Sequence, residues 1–160
     1  MEIIILGAGK PKRGTEPSAL KQISLKSVTL DWQIESFKKI SNKAKIIFLG
    51  GYEINKIRKK IPIISFKKIQ RPKNILRTFL NINLNKKDKI ITYSDTIFRN
   101  EIFKEILKQP GDAVFAVDST WKNRFESRTE NDIKEAEKIN LNIFNSKSKK
   151  IVEFTGLFLL

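Results

Sequence analysis

The sequence predicts an α/β fold whose sheet is mostly parallel. Short runs of β-branched and other apolar residues alternate along the chain with segments in which apolar residues recur at helical spacing, the pattern that consecutive strand–helix units produce. The chain has 160 residues, of which 40% are hydrophobic and 31% charged, a balance typical of a folded globular protein. A chain of this length buries one core, so we expect a single domain over residues 1–160.

The residue types that the chain lacks exclude several mechanisms. It contains no Cys and no His, which excludes a disulfide framework, a thiolate nucleophile, an imidazole zinc site and a Ser–His triad. Any catalysis must therefore depend on carboxylates, lysines, arginines, backbone amides and a hard metal held by oxygen. No apolar run approaches the ~20 residues of a membrane span, and the start lacks the basic segment of a secretory signal. We therefore expect a cytoplasmic protein with no membrane partner.

The predicted strands are apolar runs, most of which end at glycine, serine or aspartate. Five such runs lie at residues 2–6, 45–49, 61–66, 89–93 and 113–117. Residues 140–144 and 150–154 resemble a hairpin, and residues 156–160 form a last apolar strand. Either the chain ends in a sheet strand or the sequence is truncated at its C-terminus. Because natural chains seldom stop in a buried strand, we expect truncation.

The clearest predicted helix begins at Asp31, which we expect to cap its N-terminus. Its apolar residues Trp32, Ile34, Phe37 and Ile40 recur at roughly helical spacing. Further helices are predicted at residues 52–60, 73–81, 101–108 and 132–138. Residues 7–27 contain too many glycines and prolines for a helix, apart from a short segment at 18–22, and are predicted to form a long loop.

The charge of the chain is strongly positive, with 32 Lys and Arg against 17 Asp and Glu. Most of the excess lies between Lys38 and Lys73, where Glu53 is the only acidic residue. Such a field attracts polyanions, either a nucleic acid or a nucleoside triphosphate. Solvated lysine faces produced by a lysine-rich coding bias have the same composition. Because specific phosphate recognition usually favours Arg, we assign most of the charge to the second explanation.

Three candidate sites follow predicted strands, where ligands bind in open parallel sheets. The first is the loop that begins Gly7-Ala8-Gly9-Lys10 and continues to Arg13. Its glycines allow close approach of backbone amides to phosphate oxygens, and its cations offset phosphate charge. The spacing fits neither a Walker loop nor a dinucleotide fingerprint. The loop is therefore either an anion-binding segment or a structural turn with exposed lysines.

The other two sites are Gly50-Gly51 and Ser94-Asp95. Taken alone, the glycine pair indicates only a turn. Asp95 is placed where a carboxylate holds Mg²⁺ on triphosphate oxygens, but an Asp at such a junction also caps the helix that follows. Asp118 has the same two interpretations, with the cap or turn role favoured.

In their order and spacing these segments resemble the nucleotidyltransferases that act on sugar phosphates, phosphocholine and phosphonates, and in particular the domains associated with phosphoenolpyruvate mutase. The resemblance covers nearly the whole chain. In its first half it rests on Ile3-Ile4-Ile5-Leu6-Gly7-Ala8-Gly9, Arg13-Gly14, Pro17-Ser18-Ala19-Leu20, Leu30-Asp31-Trp32-Gln33, Phe48-Leu49-Gly50-Gly51-Tyr52 and Tyr93-Ser94-Asp95. In its second half it rests on the segments at residues 117–125, 128–130, 135–138 and 153–157.

The resemblance implies a Rossmann-like three-layer sandwich of the GT-A-like nucleotidyltransferase type. It implies transfer of a nucleoside monophosphate, with CTP as the favoured donor, to a phosphate- or phosphonate-bearing acceptor with release of pyrophosphate. A basic module that binds nucleic acid and an inactive fragment are the alternatives. The second metal-binding acid of the family is expected beyond Gly156-Leu157, outside this chain.

The resemblance also assigns roles to individual residues. It makes Lys10 and Arg13 catalytic, Asp95 the ligand of Mg²⁺, and Asp118, Trp121 and Arg124 residues of the acceptor side. The nucleotide-binding residues that it implies are Leu6, Gly7, Ala8, Gly9, Gly50, Gly51 and Ser94.

Overall fold

The computed structural model describes residues 1–12, 14–69, 75–83, 88–111, 113–126, 128–135, 149–154 and 158–159. The chain divides into two compact units, Met1–Ile97 with Leu159–Leu160, and Phe98–Phe158. We call them the first and the second unit and describe each by itself. The single domain over residues 1–160 stays a prediction.

The described elements alternate between strands and helices for most of the chain. The strands are β1 (Glu2–Gly7), β2 (Gln22–Ser24), β3 (Ser27–Val28), β4 (Lys45–Gly50), β5 (Ser65–Lys68), β6 (Lys89–Tyr93), β7 (Thr96–Ile97), β8 (Ala113–Asp118), β9 (Lys149–Phe154) and β10 (Phe158–Leu159). The helices are α1 (Thr29–Ile40), α2 (Ile54–Lys60), α3 (Ile75–Phe79), α4 (Asn100–Lys108) and α5 (Glu130–Glu135), with 3₁₀ turns at Ser18–Leu20 and Trp121–Arg124. Among the described residues, no helix has the length and apolar character needed to cross a membrane.

The first unit contains a four-stranded, all-parallel sheet in the order β5-β4-β1-β6. Strand β1 pairs with β4 from Glu2↔Lys45 to Gly7↔Gly50 and with β6 from Glu2↔Lys89 to Leu6↔Tyr93. All four apolar residues of β1 are buried, which explains its continuous apolar sequence, since both faces of a parallel strand are covered. The predicted α/β class with a parallel sheet is confirmed.

The direction of the connections changes between β1 and β6. From β1 the chain proceeds outward through β4 to β5, then returns across the sheet to β6 on the other side of β1. Ile54 of α2 packs beside Gly50 on one face of the sheet, whereas Ile82, which follows α3, packs with Ile4 and Leu6 on the other. A sheet flanked by helices in this way is compatible with a Rossmann-like fold. The strand order reverses between the paired strands β1 and β6, and this position is the topological switch point of the sheet.

The N-cap of α1 is Val28, three residues before the predicted cap Asp31. Asp31 is therefore its third residue rather than its N-cap, and the Asp31 carboxylate accepts a hydrogen bond from the Val28 amide at 3.1 Å. The buried face includes Leu30, Ile34 and Phe37, while Trp32 is 41% exposed. The prediction of Trp32 on the apolar face is thus wrong. The buried face is formed at helical spacing by Leu30 and Gln33 together with Ile34 and Phe37.

Other boundaries in the first unit also differ from prediction. The loop at residues 7–27 contains the short antiparallel pair β2–β3, which the sequence does not predict. Strand β5 begins at Ser65 rather than at 61, because Ile61 is the C-cap of α2 and its amide donates to Ile57 O at 2.9 Å. Helix α2 begins at Ile54 after Glu53, which has a left-handed backbone with φ 48°.

In the second unit, α4 matches its prediction to within one residue, and α5 begins two residues earlier than predicted. Strands β8 and β9 pair in parallel. The predicted hairpin falls partly on residues 140–148, which lie outside the described residues. The apolar run at residues 113–117 favours a buried strand, but β8 is only partly buried, since Phe115 is 40% exposed and its neighbours in the strand are half-buried.

Candidate functional site

Three loops meet at the carboxyl ends of β4, β1 and β6. The Ser94 amide donates to Leu6 O at 2.9 Å, and the Tyr52 amide donates to Ala8 O at 3.0 Å. These two bonds place the segment Gly7-Ala8-Gly9 between Gly50-Gly51 on one side and Ser94-Asp95 on the other. The structure therefore brings the residues predicted to bind a nucleotide to one edge of the sheet.

Gly7 is required by packing at this edge. A Cβ at Gly7 would lie 2.3 Å from Phe48 Cζ and 3.0 Å from Ser94 Oγ, so a larger residue displaces the aromatic ring. Gly9 is different, because no atom of the described residues lies within 4 Å of its Cβ position. Gly7 thus closes the end of the strand, and Gly9 leaves its backbone accessible to a ligand.

The two predicted catalytic cations lie on the loop that follows β1. Lys10 is exposed beside Gly9. Arg13 lies outside the described residues. Gly14, the next residue, has a left-handed backbone with φ 73°, a conformation that glycine adopts without strain. The position of Lys10 is compatible with neutralising the charge of an anion at the edge of the sheet.

The same loop is held against the start of α2. The Tyr52 hydroxyl donates to Thr15 O at 3.1 Å, and Lys56 Nζ donates to the Glu16 carboxylate. The hydrogen bond to Glu16 raises the pKa of Lys56 above its usual 10.5. The contribution of protonated Lys56 to this ion pair is therefore present at neutral pH and is lost as the pH rises through the raised pKa.

Asp95 lies in the turn between β6 and β7, half-buried beside the buried Ser94. It does not cap the helix that follows, because α4 begins at Asn100 with Arg99 as its N-cap. The capping interpretation of Asp95 is therefore wrong. Its role as a ligand of Mg²⁺ stays a prediction.

Gln33 is a residue of this edge that the sequence analysis did not single out for a role. Its Nε2 donates to Tyr93 O and to Thr96 O, both at 2.7 Å, so the amide of α1 joins the two ends of the turn that carries Asp95. Gln33 Oε1 is buried without a hydrogen-bond partner in the described part of the chain. Burying it costs roughly 1–3 kcal/mol, about what the two hydrogen bonds return. A polar residue at a core position of an amphipathic helix is the signal that could have identified it.

The three predicted acceptor-side residues lie together in the second unit. Asp118 accepts hydrogen bonds from the amide and the hydroxyl of Thr120, both at 2.9 Å, which confirms its turn role. Trp121 begins a 3₁₀ turn that ends at Arg124, and its ring packs edge-to-face on Phe125 with centroids 5.2 Å apart. Their role toward an acceptor stays a prediction.

Acidic residues are sparse at these sites. In the described ranges, no group of three or more Asp, Glu, His or Cys side chains could hold a metal ion. A Mg²⁺ ion at the edge of the sheet would therefore depend on Asp95 together with oxygens of a bound ligand and water.

No family model matches the sequence, and no curated protein matches it.

Proposed function

We propose that this chain is a Mg²⁺-dependent nucleotidyltransferase of the GT-A-like type. It transfers a nucleoside monophosphate, preferably CMP from CTP, to a phosphate- or phosphonate-bearing acceptor and releases pyrophosphate. The reaction and its substrates are those that the resemblance implies. The observation that supports a ligand at this site is the meeting of Gly7-Ala8-Gly9 with Ser94-Asp95 at the switch point between β1 and β6, where ligands bind in open α/β sheets.

The donor set supports a nucleotide at this edge. Gly9 offers accessible backbone, and the exposed Lys10 lies next to it. Asp95 follows the neighbouring strand β6, so the loop with Lys10 and the turn with Asp95 lie at the same end of the sheet. Mg²⁺ is commonly bound by one or two carboxylates together with substrate phosphates and water, and a single Asp95 fits that ligand set.

The chemistry needs neither an imidazole nor a thiol. The acceptor is already an oxyanion, so no base is required when its oxygen attacks the α-phosphorus. A bond forms between the acceptor oxygen and the α-phosphorus. The bond from the α-phosphorus to the oxygen that bridges it to the β-phosphorus breaks, and pyrophosphate leaves with the electron pair of that bond. Lys10 and Arg13 would offset the charge of the triphosphate, and Mg²⁺ on Asp95 would supply the remaining neutralisation. Catalysis is then positioning and electrostatics.

The proposal is tested by equilibrium binding of each of the four nucleoside triphosphates with Mg²⁺ and with EDTA. We expect Mg²⁺-dependent binding that is strongest for CTP. Pyrophosphate release is then measured with phosphocholine, an aminoalkylphosphonate and a sugar 1-phosphate. A folded protein that binds none of the four triphosphates would overturn the proposal, and binding without pyrophosphate release for all three acceptors would favour an inactive fragment.

A second candidate function, nucleic-acid binding, rests on a basic surface formed by Arg58, Lys59, Lys60, Lys67 and Lys68. These residues are all exposed, and the Arg58 guanidinium lies 5.5 Å from the centroid of the Phe66 ring, which places the end of α2 beside β5. Strand β5 is an edge of the sheet, and lysines on an edge strand also prevent pairing with other chains. We favour this protective role.

We therefore expect oligonucleotides to bind this surface weakly and without sequence preference. Their affinity should fall steeply between about 50 and 200 mM salt, because the interaction is with phosphates alone. Fluorescence anisotropy over that range measures it. Tight, sequence-dependent binding that CTP does not displace would support the nucleic-acid function instead.

A further inference from the structure

We infer that Gln33 is a positioning residue for the carboxylate of Asp95. The inference rests on the proposed function, since it concerns the ligand of Mg²⁺ at that site. Gln33 is fully buried on α1, yet its two donors are used on backbone carbonyls of a different part of the first unit, 60 and 63 residues further along the chain.

The two hydrogen bonds fix the turn from both of its ends. Tyr93 O and Thr96 O flank Ser94-Asp95, and one side-chain nitrogen contacts both at 2.7 Å. Both partners are carbonyl acceptors, so the orientation of the amide is determined: nitrogen faces the turn. On the opposite side, the Ser94 amide is bound to Leu6 O of β1. The backbone that carries Asp95 is thus held between α1 and β1.

Stability alone does not explain a glutamine here. Its Oε1 is buried without a hydrogen-bond partner among the described residues, so what the two hydrogen bonds gain is largely offset. What remains specific to Gln33 is the geometry of the turn. Mg²⁺ demands near-ideal octahedral coordination, so its affinity depends on where the carboxylate points.

The direct test uses the wild-type protein labelled with ¹⁵N-glutamine. We expect the two side-chain amide protons of Gln33 to exchange slowly with water. The side chain of Gln22, exposed on β2 with a long 3.4 Å contact to Leu25 O, should exchange fast and is the internal control. Fast exchange at Gln33 in the folded protein would overturn the inference whatever the function.

The second test replaces Gln33 with Met, which has similar length and no donor. We expect Gln33→Met to raise the Mg²⁺ concentration for half-maximal CTP binding about tenfold, with CTP affinity at saturating Mg²⁺ unchanged. Ile34→Val, on the next residue of α1, controls for a small loss of core packing and should leave the Mg²⁺ requirement unchanged.

The outcomes separate the two claims. Wild-type Mg²⁺ dependence in folded Gln33→Met, when the wild type binds CTP, refutes the positioning role and leaves the proposed function intact. Slow amide exchange at Gln33 in a wild type that binds no triphosphate refutes the proposed function and, with it, the role of the turn in holding Mg²⁺. If Gln33→Met does not fold, the exchange of the Gln33 amide in the wild type decides.

Discussion

Asp95→Asn should lower Mg²⁺-dependent CTP binding and pyrophosphate release by at least about 100-fold and leave the fold intact. Asn has the shape of Asp but lacks the charge that binds Mg²⁺. The residue does not cap α4, whose N-cap is Arg99, and it is half-buried in a turn held by Gln33 and Leu6. Titration of CTP at several Mg²⁺ concentrations, beside thermal unfolding, measures both effects.

The matched control is Asp132→Asn in the second unit. Asp132 accepts hydrogen bonds from the amide and the hydroxyl of Thr129 at the start of α5, so its carboxylate is structural. We expect this change to cost about 0.5–1 kcal/mol of stability and to leave CTP binding unchanged. If Asp95→Asn retains the wild-type dependence on Mg²⁺, Asp95 does not hold the metal.

Gly7→Ala should destabilise the protein by about 1–3 kcal/mol. The added Cβ, at the carboxyl end of β1, would lie 2.3 Å from Phe48 Cζ and 2.8 Å from Phe48 Cε2, so the ring has to move. Phe48 is fully buried, so that movement disturbs the core as well as the edge that carries Ser94. Urea denaturation gives the change in the free energy of unfolding.

Gly9→Ala is the control for Gly7→Ala, since no described atom lies within 4 Å of the added Cβ. Both changes restrict the unfolded chain in the same way, so their difference isolates the steric effect in the folded state. We expect Gly9→Ala to change the free energy of unfolding by less than about 0.5 kcal/mol. Equal stabilities for the two variants would contradict the close packing of Phe48 against β1.

The central strands were predictable because their sequences leave no alternative. Runs such as Ile3-Ile4-Ile5-Leu6 are too short for a helix and apolar on both faces, which is the pattern of a covered parallel strand. Strands β2, β3 and β7 have two or three residues each, too few to show any periodicity. The shift of β5 has another cause, since Ile61, the first residue after Lys60, is the C-cap of α2 and precedes the strand.

Of the candidate site, the sequence predicted only which residues follow which strand. The glycines after β1 and Asp95 after β6 are visible in the sequence, and the parallel pairing of those strands brings them together. Two features depend on contacts that no local pattern contains. Gln33 donates to carbonyls that lie 60 and 63 residues further along the chain. Gly7 has no space for a Cβ because the ring of Phe48, on a neighbouring strand, lies too close. Helical spacing instead favoured Trp32, which is exposed.

Hydrogen–deuterium exchange with and without CTP and Mg²⁺ locates the bound nucleotide and so shows whether it lies at the carboxyl ends of β1 and β6. We expect slower amide exchange in residues 5–12 and 92–96, lost when EDTA replaces Mg²⁺, with exchange in the basic surface of α2 and β5 unchanged. Protection confined to that basic surface, or no protection at the ends of β1 and β6 under saturating CTP, would contradict it.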